Sequence, residues 1–377
     1  MRNIIVGPAW PLRGGIAHFS ESLCKEFLKN ELSSAIVSFS FQYPHLLFPG
    51  KTQLEAGPAP VGIDISPMLN SIYPGSWRKT ARYLVEQQPD YLVVMYWSPY
   101  MALALGSLAR MVKRRSRIKI ISVVHNVTPH EAGFLDRALS AYFFRSCDGF
   151  VTLSASALDH LKQINPAAPS AWAPHPVYDF FGPMVTKKEA MKHLNLEPGV
   201  NYLLFFGLIR SYKGLDLLIK AMVDPRLKKR NLKLIVAGEF YDKKSKYTVL
   251  VKEESLQDRI IFTDHYVPNE EVKYYFGAAD LVVQPYRTAT QSGVTQIAYH
   301  FEKPMIVSNV GGLPEIVPNG EVGYVTRLSP DSIAEAINDF YALEKAEEFS
   351  KNTAKLKHRF QWNNVVSKIE ELARTLK

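Results

Sequence analysis

Short apolar runs alternate with longer amphipathic segments through the first half of the chain. Each apolar run is followed by enough residues for a helix that crosses back over the sheet, as neighbouring parallel strands require. The pattern therefore predicts a mostly parallel sheet with helices on both faces, which is a Rossmann-like domain. The predicted strands are 3–6, 34–39, 91–95, 118–124 and 149–153.

The same alternation restarts after a proline-rich segment, residues 169–183. Its four prolines favour an ordered linker over a helix or a central strand. We therefore expect an α/β chain of two doubly wound domains, 1–178 and 179–355, with the functional site at the carboxyl ends of the strands, facing a cleft. The strands predicted for the second domain are 202–206, 232–237, 260–262, 281–284 and 305–308.

The composition fits a packed protein of two domains. The chain has 377 residues, of which 47% are hydrophobic and 21% are charged. Cys24 and Cys147 are its only cysteines, which excludes a disulfide framework and a multi-cysteine metal site and suits a reducing compartment. The first apolar run ends at Gly7, and no run reaches the ~20 residues that cross a bilayer. We expect a cytoplasmic protein without a signal peptide.

A net charge of +9 raises the question of an acidic partner. The densest basic run is either a solvated helix end or a surface that attracts anionic lipid headgroups at the inner face of a membrane. Nucleic acid is not expected as a partner, because the chain has no zinc-finger spacing and no aromatic RNA-binding motif. The basic residues of this run are Lys113, Arg114, Arg115, Arg117 and Lys119.

Two candidates for chemistry lie in the first half. Gly14 and Gly15 precede a helical pattern and either let a ligand approach the backbone or form an ordinary loop. They do not complete a dinucleotide fingerprint, and the chain lacks a Walker A sequence. His125 ends an apolar strand, where a histidine can donate a hydrogen bond or move a proton, or else serve only its own loop.

The second half contains two turns suited to a phosphate. Arg210 and Lys213 lie between a predicted strand and a helix, where they either neutralise a diphosphate or are simply solvated. Residues 280–317 contain two successive strand-to-helix turns with small polar residues, whose backbone N–H groups can hold an anion. Glu239, after Gly238 at the end of another strand, either binds a ligand or braces its loop.

Together these motifs resemble the retaining nucleotide-sugar glycosyltransferases of the GT-B fold, specifically glycosyltransferase family four. The resemblance covers nearly the whole chain. It includes the glycine pair, VHNVTP, the turn from Gly207 to Gly214, VAGEF, AADLVVQPY and VSNVGGLPEIV followed by GYV. The closing FQWNNVVSKIEELARTL resembles the family's last helix, which implies that segment 356–377 packs back on the N-terminal domain.

The resemblance implies a donor of the UDP- or GDP-sugar type, a hydroxyl acceptor on a glycan or a lipid-linked saccharide, and no bound metal or other cofactor. It implies that His125 contacts the donor sugar, that Arg210 and Lys213 clamp the diphosphate, and that Gly15 lies near the donor phosphates. Arg210 is shifted by two positions from the family pattern. The other residues expected to bind the donor are Gly238, Glu239, Thr288, Ser292, Gly293, Val294 and Gln296.

The chain departs from the family at two glutamates that the family spaces eight positions apart. Counted back from the Lys-Pro pair at 303–304, Thr288 and Gln296 occupy these positions, so neither carboxylate is present. Gln296 can still hydrogen-bond ribose hydroxyls, because an amide both donates and accepts, whereas Thr288 supplies no charge. We therefore expect catalysis to depend on stabilising the departing diphosphate, through the two cations and the N–H groups of the helix start at 292–294.

Other functions stay open at this point. The missing glutamates are also compatible with a catalytically lapsed nucleotide-sugar-binding protein, and the architecture with a nucleotide-sugar epimerase. A basic adaptor at a lipid surface is a further possibility. The aromatic segment 38–53 is interpreted as core and loop packing or, alternatively, as an acceptor surface.

Overall fold

The computed structural model describes residues 1–44, 52–55, 57–127, 133–178 and 180–376. The chain divides into two compact units: Met1–His175 with Gln361–Lys377 form unit 1, and Pro176–Phe360 form unit 2. Each unit has its own parallel sheet, with helices that connect the strands. The predicted fold class of two Rossmann-like domains is confirmed.

The sheet of unit 1 has seven strands in the order β3-β2-β1-β4-β5-β6-β7. All neighbours pair in parallel. The central strand β4 is buried along its whole length, as expected for a strand covered on both faces. The strands are β1 (Arg2–Val6), β2 (Ser33–Phe41), β3 (Ile65–Asn70), β4 (Tyr91–Tyr96), β5 (Lys119–Val124), β6 (Gly149–Thr152) and β7 (Ser170–Trp172).

The two outer strands of this sheet differ from the prediction. Strand β3 contains Pro67 and is only partly buried, so neither apolarity nor propensity marks it. Strand β7 lies inside the segment predicted to be a linker, between Pro169 and Pro174. Both are edge strands, where proline is tolerated because one side of the strand lacks a hydrogen-bonded neighbour.

The helices of unit 1 follow the strands as crossovers, and one helix comes from the end of the chain. That last helix, α15 (Trp362–Thr375), packs against α1 and the strands β5, β6 and β7. It buries one face through residues spaced three or four apart, Val365, Val366, Ile369 and Leu372. The other helices are α1 (Gly15–Lys29), α2 (Pro74–Glu86), α3 (Pro99–Lys113), α4 (Phe134–Phe144) and α5 (Ala155–Ile164).

Unit 2 has a six-stranded sheet in the order β10-β9-β8-β11-β12-β13, again parallel. The chain adds β9 and β10 on one side of β8, then β11 to β13 on the other. Its strands are β8 (Asn201–Phe206), β9 (Leu232–Ala237), β10 (Ile260–Thr263), β11 (Leu281–Gln284), β12 (Met305–Ser308) and β13 (Gly323–Thr326). The edge strand β13 was not predicted as a strand, although its sequence GYV is part of the family resemblance.

The crevice outside the carboxyl ends of β8 and β11 is the topological switch point of unit 2, where open α/β sheets bind ligands. The corresponding point in unit 1 lies between β1 and β4. The helices of unit 2 are α6 (Lys187–His193), α7 (Leu215–Ala221), α8 (Pro225–Lys228), α9 (Ser245–Glu253), α10 (Asn269–Ala278), α11 (Gly293–His300), α12 (Leu313–Ile316), α13 (Pro330–Ala342) and α14 (Ala346–Leu356).

Within the described ranges, no helix is both long enough and apolar enough to cross a membrane. The unit boundaries lie after His175 and after Phe360, whereas the sequence predicted them after residues 178 and 355.

Candidate functional site

The candidate site of unit 2 starts from glycines at the ends of β8 and β9. Gly207 and Gly238 adopt φ values of 95° and 144°, which other residues rarely adopt. A Cβ atom on Gly238 would lie 2.0 Å from the carbonyl oxygen of Gly207. The ends of β8 and β9 therefore lie so close together that there is no room for a side chain at Gly238.

Lys213 lies in a short 3₁₀ turn, Ser211–Lys213, between β8 and α7. Its side chain is buried, with 7% of the residue exposed. The ammonium nitrogen Nζ lies 5.3 Å from the centroid of the Tyr286 ring and 3.1 Å from the position that a Cβ on Gly207 would occupy. The sequence thus folds so that a lysine amine is buried at the carboxyl end of β8.

Burial, followed by the nearby charge of Arg210, lowers the pKa of Lys213 to about 7. Among the described residues, no carboxylate offsets these two effects. Arg210 lies on the same turn, with its guanidinium carbon 4.7 Å from the centroid of the Tyr241 ring. The two basic residues predicted from the sequence therefore lie near each other. Because its pKa is near neutrality, the Lys213 amine can take up a proton when an anion binds.

The start of α11 adjoins this turn. A side-chain methyl carbon of Val294, Cγ2, lies 3.5 Å from the same Cβ position on Gly207. Ser292 caps the helix by accepting a hydrogen bond from the backbone N–H of Val294 at 3.2 Å, and Gly293 is exposed. The first turn of a helix has backbone N–H groups without intrahelical partners, so the cations and an anion-binding helix start share one region.

Below this helix start lie two buried glutamines. Gln284, at the end of β11, accepts a hydrogen bond of 2.7 Å from the Ser292 hydroxyl through Oε1. Gln296 is fully buried one helical turn after Ser292, on the same face of α11. Within the described part of the chain, Gln284 Nε2 and both amide atoms of Gln296 have no hydrogen-bond partner. Such groups are costly to bury unless a ligand or solvent satisfies them.

Gln284 was not predicted from the sequence, because its only signal is a polar residue at the end of an otherwise apolar strand. Arg287, which forms an ion pair with Asp216 at 2.6 Å, was not predicted either. Thr288 is half-buried in the loop after β11. Glu239 is buried, and its backbone carbonyl oxygen accepts a hydrogen bond from the N–H of Ile209 at 2.9 Å.

His125 belongs to unit 1, directly after β5. Its ring meets Phe19 edge-on at a centroid distance of 4.7 Å, and Phe19 also contacts His175 and Trp362. Burial, and secondarily the neighbouring His175, lowers the pKa of His125 to about 3. The imidazole is therefore neutral at physiological pH and suited to hydrogen bonding rather than to carrying a charge.

Gly15, the other predicted residue of unit 1, is the exposed first residue of α1. A Cβ there would meet no atom of the described residues within 4 Å, so their packing does not require this glycine. The end of the VHNVTP motif, residues 128–129, lies outside the described residues, as does 45–51 of the aromatic segment. The structure thus places Gly15 and His125 in unit 1 and every other predicted site residue in unit 2.

The basic run lies at the end of α3. Lys113 is already paired with Asp148, because its Nζ lies 2.6 Å from Oδ1 of that carboxylate. Arg114, Arg115 and Arg117 are exposed. In the described ranges, no group of three or more histidine, cysteine, aspartate or glutamate side chains is placed to hold a metal ion.

Comparisons with known proteins cover both units. A family model described as Glycosyl transferases group 1 matches residues 186–356, and one described as Glycosyltransferase Family 4 matches residues 13–177. The lipopolysaccharide 1,2-N-acetylglucosaminetransferase of Salmonella typhimurium is 28% identical over 190 residues, which are 48% of this chain and 50% of that protein. The chain spans about half the length of the first curated relatives it matches.

The fold is similar to that of many solved structures. Sucrose-phosphate synthase from Thermosynechococcus elongatus superposes with a TM-score of 0.76 at 17% identity, covering 100% of this chain and 99% of that one. Anabaena HepE in complex with UDP-glucose gives a TM-score of 0.75 at 15% identity, covering 100% and 99%. At these identities the similarity establishes the fold.

Proposed function

The chain belongs to the glycosyltransferases that combine a family 4 domain with a group 1 domain, and we propose that it transfers a sugar from a nucleoside diphosphate sugar to a hydroxyl acceptor. One observation carries this proposal: the Lys213 amine is buried at the switch point of unit 2, beside the first turn of α11. A diphosphate brings the negative charge that this arrangement lacks.

In the proposed reaction, the acceptor hydroxyl oxygen forms a bond to the anomeric carbon as the bond between that carbon and the diphosphate oxygen breaks. The diphosphate oxygen keeps the electron pair of the broken bond, and the hydroxyl proton passes to the departing diphosphate. Lys213, Arg210 and the N–H groups of residues 292–294 stabilise the charge that develops on this leaving group. Because these groups supply positive charge from the protein, the proposed reaction needs no bound metal. Preorganised donors of this kind typically contribute about 10²- to 10³-fold each to the rate.

The nucleotide end of the donor is assigned to the buried glutamines. The amide of Gln296, which has no hydrogen-bond partner among the described residues, can donate to and accept from ribose hydroxyls. Gln284 Nε2 offers a second donor beneath the same helix start. A threonine and one neutral amide, Thr288 and Gln296, replace the two carboxylates of the family pattern, so the proposed mechanism places the electrostatic contribution on the diphosphate. We also propose retention of configuration at the anomeric carbon, as in the family.

His125 is assigned to the donor sugar. Its neutral imidazole can donate a hydrogen bond to a sugar hydroxyl or accept one, and a cation is not available at this position at neutral pH. Gly15 is assigned to the donor phosphates, since its exposed position at the start of α1 leaves the backbone accessible.

The acceptor is proposed to be a glycan or a lipid-linked saccharide, handled in the cytoplasm. The name of the Salmonella relative, a lipopolysaccharide transferase, supports this acceptor class.

Contact with an anionic membrane surface would use Arg114, Arg115 and Arg117, each contributing about 1 kcal/mol near such a surface. Flotation with vesicles containing anionic lipid at low and high salt tests this contact, because replacing the three arginines by glutamine should abolish salt-sensitive binding.

The donor site is tested by thermal unfolding with UDP-, GDP-, ADP- and CDP-sugars. A ligand at 1 mM that binds with a Kd of about 100 μM adds roughly 1.4 kcal/mol of stability and raises Tm by about 2–4 °C. Lys213→Ala should lose this shift. Lys303→Ala is the matched control, because burial also lowers the pKa of Lys303 to about 8, but this lysine precedes the amino end of β12, whereas Lys213 follows the carboxyl end of β8.

The outcomes separate the possible functions. Transfer of sugar to an acceptor in the presence of the stabilising donor supports the proposal. Interconversion of donor sugars without an acceptor indicates an epimerase, and binding with neither reaction indicates a lapsed nucleotide-sugar-binding protein. If no nucleotide sugar raises the Tm of the wild-type protein, the donor site is assigned wrongly.

A further inference from the structure

Arg287 connects the loop after β11 to the turn that carries Lys213. Its guanidinium donates to both carboxylate oxygens of Asp216, at 2.9 and 2.6 Å, and to the carbonyl oxygen of Ser211 at 2.9 Å. The backbone N–H of Arg287 donates to the carbonyl oxygen of Tyr212 at 2.6 Å. One residue thus holds the first two residues of the 3₁₀ turn and the first turn of the helix that follows it.

The residues beside Arg287 reinforce this connection. Gly214, which ends the turn, has a φ of 69°, and a Cβ on it would lie 2.0 Å from the carbonyl oxygen of Pro285. The ring of Tyr286 lies 6.2 Å from that of Tyr212 and 5.3 Å from Lys213 Nζ. Segment 285–287 therefore contacts every residue of the turn from Ser211 to Gly214.

A bidentate ion pair fixes geometry as well as charge. The fork of the guanidinium matches the two carboxylate oxygens and leaves Asp216 only one arrangement that satisfies both bonds. The side chains of Arg287 and Asp216 are 38% and 19% exposed, so the pair adds little to overall stability. Its main effect is on the position of the turn.

We propose that Arg287 is a positioning residue that acts through Lys213: by fixing the Ser211–Lys213 turn, it keeps the Lys213 ammonium at the carboxyl end of β8 for the diphosphate. This inference rests on the proposed function of the site. Arg287 itself does not contact the substrate in this assignment, since its guanidinium is occupied by Asp216 and Ser211.

The test compares binding of UDP and of GDP to variants by isothermal titration calorimetry. Arg287→Ala should weaken binding of the nucleotide that the wild type prefers about tenfold, and Lys213→Ala about a hundredfold. The double variant should bind no more weakly than Lys213→Ala alone, because Arg287 acts through that lysine. A further loss in the double variant would mean that Arg287 contacts the nucleotide directly, and the positioning role would be wrong.

Arg226→Ala is the matched control. Arg226 forms the same kind of fork with Asp224, at 2.9 and 2.8 Å, adds a contact to Asp331, and is 40% exposed. It lies at the start of α8 in the same unit. Arg226→Ala should leave nucleotide binding unchanged, which separates positioning of Lys213 from the general effect of losing a surface ion pair.

A second measurement does not depend on nucleotide binding. In Arg287→Ala, hydrogen–deuterium exchange should become faster in peptides that cover residues 209–216, and NMR titration should show the pKa of Lys213 moving up toward its ordinary value. Arg226→Ala should change neither. Unchanged exchange and an unchanged Lys213 pKa would overturn the inference, even if wild-type protein bound neither UDP nor GDP and the proposed function had failed separately.

Discussion

In each unit a buried titratable side chain follows a central strand, His125 in unit 1 and Lys213 in unit 2, and the two side chains are in different chemical states. His125 in unit 1 lies against Phe19, and burial lowers its pKa to about 3. Lys213 in unit 2 is as deeply buried, yet its pKa falls only to about 7, because it starts from 10.5. Similar burial therefore leaves the histidine neutral at every physiological pH, whereas the lysine can gain a proton when an anion binds.

The largest effect concerns the glycines of the two units. Gly238→Ala should destabilise unit 2 by about 2–4 kcal/mol, since its φ of 144° is strained for alanine and the new Cβ would lie 2.0 Å from a carbonyl oxygen. Gly15→Ala in unit 1 should change stability by less than about 0.5 kcal/mol, because no atom of the described residues lies within 4 Å of the position that the new Cβ would occupy. Urea unfolding of both variants measures the difference. Equal effects would contradict the close approach of β8 and β9.

The pH dependence of nucleotide binding tests the two titratable groups. A bound diphosphate favours protonated Lys213, so affinity should fall about tenfold per pH unit above the lysine's pKa of about 7, up to the raised pKa of the complex. Lys213→Arg should flatten this profile. His125→Gln should leave it unchanged between pH 6 and 9, roughly the range accessible to calorimetry, because His125 carries no charge there.

The stability of the unliganded protein should also depend on the protonation of Lys213, but it should rise with pH, whereas nucleotide affinity falls. Between about pH 7 and 10.5, the unfolded chain holds a proton on Lys213 that the folded chain has lost. The free energy of unfolding contributed by this residue therefore rises with pH across that window and falls as the solution becomes more acidic. Lys213→Met should remove this slope in a series of urea titrations, whereas Lys213→Arg should keep the site charged.

A smaller effect is expected at His125. His125→Gln should lower the rate of sugar transfer about tenfold, the loss expected for one hydrogen bond to the donor sugar. The affinity for UDP or GDP without a sugar should stay within about twofold of wild type, because no phosphate contact is changed. Steady-state kinetics beside calorimetry separates the two quantities. An equal loss in nucleotide affinity would assign His125 to the phosphates instead.

The smallest effect concerns the start of α11. Ser292→Ala removes the cap of the helix and the hydroxyl that donates to Gln284. It should cost about 1 kcal/mol of stability, a typical value for losing a serine cap. The start of α1 in unit 1 has Gly14 at its cap position, without a side-chain cap bond. A substitution of Gly14 would therefore remove no capping hydrogen bond. Thermal unfolding of Ser292→Ala gives the value, and Ser292→Thr should restore most of it.

The central strands of both sheets could be predicted because parallel strands buried on both faces appear as uninterrupted apolar runs. The edge strand β10 was predicted from its apolar run, whereas the edge strands β3, β7 and β13 were not, because β3 contains a proline, β7 lies between two prolines and β13 starts at a glycine. Arg210, Lys213 and Ser292 could be singled out because each lies in a local motif. Arg287 could not, since its importance depends on Asp216 and Ser211, which are distant in sequence.

By itself, the sequence determined the α/β class, the division into two Rossmann-like domains and the turns that carry the candidate cations, because hydrophobic period and glycine placement are local properties of the chain. Only the tertiary structure decided that Lys213 is buried without a compensating carboxylate among the described residues, that Gln296 has no hydrogen-bond partner among them, and that Arg287 holds the lysine's turn. These are properties of surroundings assembled from distant segments, and desolvation and hydrogen bonding depend on those surroundings.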